Sequence, residues 1–382
     1  MAKAKDAKDS TVILVLQGGG ALGAYHIGAY QAMHEAGYAP DWVAGTSIGA
    51  ITSAALVGNP LEDRLDKLHE LWHEISRPDE WGAWLPGPLV KAFNAGSAME
   101  TTLFGQPNFF SPNLVSPYLS VPGTRSATAF YDTSPMLATL SRLCDFDLIN
   151  SGSTRISLGA TNVRTGDIVY FDNVNPKQTI GPEHVLASGS LPPGFPATVV
   201  DGESYWDGGC VSNTPLHAIL DDPPPGHALV FVVDLWSAAG ELPNTPDEVS
   251  WRSEEIQYAS RTAHHMKTVA ARLNLRSQLA TLRASLPKEV ADTPGVQNAT
   301  ALSYEGSMDM VHVHYTPTPD EASNSPAEFS RPSIARRSAA GYADMKLAIQ
   351  EAPWLVAERP AHAAAVVHRV GPTGVRQYAP AT

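Results

Sequence analysis

Gly45-Thr46-Ser47-Ile48-Gly49 is the first stretch of this chain whose residue types and spacing point to chemistry. A serine with a glycine two residues away on each side suits a nucleophile standing on a tight strand-to-helix turn. Gly45 and Gly49 let neighbouring backbone close in there. A helix opening just after Ser47 would aim backbone N–H groups and a positive dipole end at the reacting atom. The blander reading is a serine that only caps a helix. A second cluster is Gly18-Gly19-Gly20-Ala21-Leu22-Gly23. Successive N–H groups in such a loop form a nest that binds a phosphate or stabilises an oxyanion. The third is Trp206-Asp207-Gly208-Gly209, where a carboxylate follows a short strand and Gly208 and Gly209 supply a supporting turn. Alone, Asp-Gly-Gly is usually just a turn; its weight here comes from the other two clusters.

The glycine loop also invites a nucleotide reading, because Gly18, Gly20 and Gly23 satisfy G-x-G-x-x-G. No Lys-Ser/Thr follows, as a Walker A loop requires. The acids about twenty residues on are Glu35 and Asp41, and Asp41 only begins the next short strand. An oxyanion role is more economical, since a serine elbow one βα unit away needs such a hole.

These residues need elements to position them. Residues 12–16 are an uninterrupted apolar run and read as a buried parallel strand, ended by the three glycines. A helical pattern follows over about 22–35, then a short strand at 42–44, the turn at Ser47, and a helix from 48 to about 57. Strand–turn–helix twice over is the grammar of an α/β sheet. Residues 61–75 read as a helix. Residues 77–133 are rich in Pro, Gly, Asn, Ser and aromatics, among them Trp81, Trp84, Phe109 and Phe110. That segment reads as an irregular, cap-like insertion over the sheet. Two hairpins, 155–172 and 198–206, flank a short helix at 182–188, and 228–235 reads as a central strand. Beyond it come a long helix at 254–286, a late strand at 310–315, a helix at 334–352, and a loosely structured last thirty residues. The domain reading is a catalytic unit over 11–240 and a mostly helical C-terminal extension over 241–382.

Composition bounds the function. The 382 residues are 43% hydrophobic and 17% charged, with 31 prolines and 30 glycines, a globular profile rich in turns. A net charge of -13 argues against nucleic acid and against purely electrostatic docking onto anionic lipid. Arg331, Arg336 and Arg337 read as a solvated helix face. The two cysteines, Cys144 and Cys210, make neither a metal motif nor a disulfide framework, so no metal and no cofactor is expected. The polar residues 1–10 and the short apolar run after them do not make a signal peptide, and no window is long enough to span a bilayer. The expectation is a cytoplasmic protein, with contact at a membrane surface left open. Pairing of the long helix with a second copy of the chain is left open as well.

Taken in order, Gly18-Gly19-Gly20-Ala21-Leu22-Gly23, Gly45-Thr46-Ser47-Ile48-Gly49 and Asp207-Gly208-Gly209 resemble the three signatures of the patatin-like phospholipases. Residues 187–193 and 212–216 resemble its bacterial branch, and about 259–352 resembles the extra C-terminal region of one bacterial subgroup. The resemblance implies a three-layer α/β/α fold with a mainly parallel central sheet and a Ser–Asp dyad without catalytic histidine. It implies that Ser47 attacks an ester carbonyl, that Asp207 is the base, and that the loop at Gly18, Gly19, Gly20 and Ala21 holds the oxyanion. The substrate class it implies is a lipid or other acyl ester, cleaved through an acyl-enzyme by a phospholipase, lipase or esterase.

Rival expectations are an acyltransferase or thioesterase on the same dyad, a nucleotide binder using the glycine loop, and an inactive scaffold. A histidine-assisted triad would draw on His217 or on His26 beside the loop. His217 reads more simply as a half-exposed polar residue at a helix start.

Overall fold

In the computed structural model, which describes residues 10–356, 359, 363–371 and 374–378, the apolar run at 12–16 lies buried at the centre of a ten-stranded sheet. The strands are β1 (Ser10–Leu16), β2 (Trp42–Thr46), β3 (Ser111–Pro112), β4 (Tyr131–Asp132), β5 (Arg155–Asn162), β6 (Ile168–Asp172), β7 (Thr198–Val200), β8 (Glu203–Asp207), β9 (His227–Asp234), β10 (Ser307–His314), β11 (Ala365–Gly371) and β12 (Gly374–Tyr378). β3 and β4 form a separate two-stranded sheet. The large sheet runs β12-β11-β10-β9-β1-β2-β5-β8-β7, with β6 also paired to β5. Its middle, from β11 to β5, is parallel, and antiparallel pairs close both ends.

A parallel sheet must be covered on both faces, and β1 shows how. Val12, Leu14 and Leu16 face a core with Tyr25, Ile27, Ile51 and Met345, while Ile13 and Val15 face a core with Leu216, Ile219, Val269 and Leu273. The period of two along the strand therefore feeds two helical layers. The first holds helices Tyr25–Glu35, Ile48–Val57 and Arg331–Glu351; the second holds Leu216–Asp221 and Pro246–Ala284. This is a three-layer α/β/α fold with a mainly parallel sheet. The chain leaves β1 for β2 on one side and returns as β9 on the other, so the carboxyl end of β1 is a topological switch point, where open α/β sheets place their sites.

Three expectations need correction. The irregular segment at 77–133 contains an 18-residue helix, Gly87–Phe104, opened by Pro at its first turn and ended by Gly105 at φ 77°. Its Gly, Asn, Ser and Thr content hid the helical pattern. Within the last thirty residues, β11 and β12 form a hairpin in the sheet, because β9 and β10 already offer a parallel edge to the Ala365–Val367 run. C-terminal helices are present, and the region after residue 240 also supplies three strands of the sheet. Finally, Arg337 is not solvated: it is 1% exposed and ion-paired to Glu321 at 2.8 Å. Of the polar residues 1–10, residues 1–9 lie outside the described residues.

Candidate active site

Ser47 sits where β2 hands over to the helix Ile48–Val57, with φ 58° and ψ -126°. Positive φ on a non-glycine residue costs on the order of 1–3 kcal/mol and persists only when the surroundings hold it. Here they do. The Ser47 amide donates to Ser188 Oγ at 3.0 Å and its carbonyl oxygen at 3.1 Å, and Ser188 Oγ donates to the Gly159 carbonyl at 2.6 Å. The elbow glycines are sterically required. A Cβ on Gly45 would lie 2.3 Å from the Gly49 carbonyl oxygen, and one on Gly49 would lie 2.2 Å from that of Leu16.

Asp207 reaches the same place from a different direction. β8 is antiparallel to β5, and β5 separates it from β2. The glycine loop and Ser47 thus follow the adjacent strands β1 and β2, whereas Asp207 ends a strand that is not their neighbour. Two glycines bridge the gap. A Cβ on Gly208 would lie 2.4 Å from the Gly159 carbonyl oxygen and 2.9 Å from Thr46 Cγ2; one on Gly159 would lie 2.9 Å from Thr46 Oγ1. Without those side chains the end of β8 folds over β5 toward Ser47. The Asp207 amide donates to the Ser190 carbonyl at 2.9 Å, so residues 188–190 tether both Ser47 and Asp207. The Asp207 carboxylate is buried and accepts the Gly209 amide at 2.7 Å. Burial pushes its pKa up to about 6, against hydrogen bonding from the Ser47 hydroxyl and the Gly209 amide, which pulls it down.

The glycine loop closes the third side. A Cβ on Gly18 would sit 2.9 Å from Ser47 Cβ and 2.3 Å from Asn213 Oδ1. The Gly18 carbonyl accepts from Asn213 Nδ2 at 2.9 Å and Trp236 Nε1 at 3.0 Å, which fixes the peptide that carries the Gly19 amide. Gln17 anchors the loop from below: its Oε1 accepts the Leu235 amide at 2.7 Å, and its Nε2 donates to Thr214 and Thr262 at 3.0 Å each. Gly20 has φ 57° and backs onto Pro326. Ala21 is fully buried behind the loop, its carbonyl accepting from Arg337 at 3.2 Å.

Gly18, Gly19, Gly20, Ser47 and Asp207 all line one cavity of about 350 Å³. Its apolar wall is built from Ile51, Phe109, Phe110, Leu191 and Phe195. Phe109 and Phe110 come from the segment read as a cap; Trp81 and Trp84 are exposed and stand off the cavity. Sequence reading missed the other wall. Glu254 and Tyr258 come from the helix Pro246–Ala284, and Ser323, Asn324, Pro326, Ala327 and Phe329 from the connection after β10. That connection has no chemical signature of its own. It is held by Arg337, which donates to both Glu321 carboxylate oxygens at 3.0 and 2.8 Å and to the carbonyls of Glu328 and Ser325 at 3.0 and 3.4 Å.

Among the described residues no histidine lines the cavity. His26 is fully buried elsewhere in its helix, and burial holds its pKa down at about 3. His217 is half-buried, its ring 4.9 Å from that of His265. The acids a nucleotide reading needed are engaged elsewhere: Asp41 accepts the Val12 amide at 2.8 Å, and Glu35 accepts from Tyr342 and Gln31. Among the described residues no cluster of three or more metal-ligating side chains occurs, and no helix is long and apolar enough to cross a membrane.

A strand–elbow–helix serine and a buried carboxylate at the switch point of such a sheet define an α/β protein of the hydrolase type. The family model described as patatin-like phospholipase matches residues 14–220, just over half of the chain, and a second, described as patatin phospholipase, matches residues 256–361. The chain belongs to the patatin-like phospholipase family and is by class a lipid ester hydrolase. Among solved structures it is similar to VipD from Legionella pneumophila, at 16% identity and TM-score 0.37 over 90% of this chain and 67% of that one. It is similar to the type III effector protein ExoU, at 16% identity and TM-score 0.33, over 90% of this chain and 53% of that one. It is also similar to human GIVD cytosolic phospholipase A2 in complex with methyl gamma-linolenyl fluorophosphonate, at 12% identity and TM-score 0.30, over 60% and 41%. The chain thus spans about half the length of ExoU. No curated protein matches it.

Proposed function

We propose that the chain cleaves carboxylic esters of lipid-like substrates with Ser47 as nucleophile and Asp207 as base. Ser47 Oγ attacks the carbonyl carbon while its proton passes to Asp207. The amides of the Gly18–Gly20 loop receive the charge that develops on the carbonyl oxygen. The tetrahedral adduct collapses, the alkoxide leaves with the proton from Asp207, and the acyl group stays on Ser47. Water then attacks the acyl-enzyme, giving its proton to Asp207, which returns it to Ser47 Oγ as the acid departs. The observation that carries this reading is a buried Asp207 that lines one cavity with Ser47, a cavity that no histidine lines among the described residues.

The test is hydrolysis of p-nitrophenyl esters from acetate to palmitate by the wild type, Ser47→Ala and Asp207→Asn. Loss in both variants, with both folded, supports the dyad, and the chain-length optimum sizes the apolar wall. Activity that survives Ser47→Ala overturns it. Added alcohol acceptor with product analysis separates hydrolysis from acyl transfer.

The reading extends to the membrane. Residues 101–124 contain no charged side chain, and Leu114, Tyr118, Leu119 and Val121 are at least 71% exposed. Phe109 and Phe110 of the same segment enter the cavity. An uncharged segment that exposes apolar side chains and also lines the acyl site suits contact with a neutral lipid surface by a chain of net charge -13.

A further inference from the structure

The cavity holds one ionisable group that this chemistry leaves unused. Glu254 lines it together with Tyr258, one turn further along the helix Pro246–Ala284, and Trp236. An i,i+4 spacing puts Glu254 and Tyr258 on one helix face, and the Tyr258 ring lies 5.0 Å from that of Trp236. The next residue, Glu255, is ion-paired to Arg252 at 3.0 Å. Among the described residues Glu254 has no hydrogen-bond or ion-pair partner, and burial raises its pKa. Among the described residues no Lys, Arg or His lines the cavity; its ionisable groups are Asp207, Glu254 and Tyr258. A half-desolvated carboxylate without a counter-ion is unfavourable until a ligand brings positive charge. It repels an anion, and neighbouring aromatic rings favour a quaternary ammonium over other cations.

We infer that Glu254 is a specificity-determining residue, which makes the cavity prefer acyl esters whose alcohol carries an ammonium group over neutral isosteres. The inference rests on Ser47 as nucleophile for its ester half and on the cavity alone for its binding half. Butyrylcholine and 3,3-dimethylbutyl butyrate share a shape and differ by one positive charge. The expected kcat/KM ratio favours the choline ester by about tenfold or more in the wild type and falls to about one in Glu254→Gln. Equal rates in the wild type, or a ratio that survives Glu254→Gln, overturns it. A second measurement needs no turnover: calorimetric titration of tetramethylammonium into Ser47→Ala, and into Ser47→Ala carrying Glu254→Gln. Binding to the first and not the second supports Glu254; no binding to the first, or equal binding to both, overturns it. Binding lost with Glu254→Gln while the wild type cleaves neither ester overturns the Ser47 reading and leaves the ammonium site standing.

Discussion

A carboxyl group of ordinary acidity, near 4, is too weak a base to draw a proton from serine at useful rates. Burial moves Asp207 to about 6 and makes it a better one, at the expense of keeping it protonated in mild acid. The proposed dyad needs the ionised form. We expect kcat/KM to rise with pH along a single limb that levels off above about 6, falling by about a hundredfold from pH 8 to pH 4. A profile flat across that range would remove Asp207 from the base role. Stability should move the opposite way. A carboxyl whose folded pKa lies above its unfolded value of 3.8 stabilises the fold fully below that value, and the stabilisation is lost as pH rises through about 6. Asp207→Asn removes that penalty. The variant should be inactive yet more stable than wild type above pH 6, by about 2–3 kcal/mol, with the gap closing near pH 4. Denaturant titrations at both pH values read the gap; a less stable variant at pH 8 would show that the Gly209 hydrogen bond outweighs desolvation.

Two elements shape the cavity without touching the reacting atoms: the connection after β10 and the uncharged segment around β3. The first depends on Arg337, whose guanidinium joins Glu321, Glu328, Ser325 and the carbonyl of Ala21 behind the glycine loop. Burial would raise the Glu321 carboxyl, but Arg337 outweighs it and brings the pKa to about 2. Removing one partner of a buried pair costs about 3–5 kcal/mol, so Arg337→Met should lower stability by that order and take ester hydrolysis with it. Arg337→Lys keeps a charge but loses the bidentate geometry, and should fall between; full activity in Arg337→Met would detach this connection from the site. In the second element, Leu114→Asp with Leu119→Asp should cut sedimentation with phosphatidylcholine vesicles by about tenfold or more, with little salt dependence. Unchanged sedimentation would place membrane contact elsewhere. Legibility divides along this line. The β1 run, the Ser47 elbow and the glycine loop are local patterns, so spacing alone exposes them. Arg337 looks like Arg331 and Arg336 on the same helix, and only its burial against Glu321, Ser325, Glu328 and the distant Ala21 carbonyl sets it apart. Asp207 was legible as a candidate; the Gly159–Gly208 approach that carries it across β5 was not, because it depends on an antiparallel strand folding back into a parallel sheet.

At the scale of the molecule, the three signature motifs end near residue 209, yet the cavity they build is finished by residues up to 329. β10 pairs along its whole length with β9, and β11 pairs with β10. Met266, Val269, Leu273, Met308 and Met310 cover one face of the central strands, and Val311, Val313, Phe329 and Met345 the other. Each such side chain contributes about 1.5–3 kcal/mol when fully buried. Together the nine are comparable to the 5–15 kcal/mol that separates a typical folded domain from its unfolded chain, even after a generous discount for residual burial. A chain cut after residue 240 would also expose β9 as an apolar edge, a template for aggregation, and would leave Gln17 without its Thr262 partner. We therefore propose that residues 11–240, although they carry Ser47, Asp207 and the glycine loop, do not form an independent catalytic unit. Expressed alone, they should be insoluble or protease-sensitive and inactive on every ester the full chain cleaves. A soluble, protease-resistant fragment retaining more than about a tenth of the full-length kcat/KM would make the rest of the chain an addition to the active site rather than a part of it.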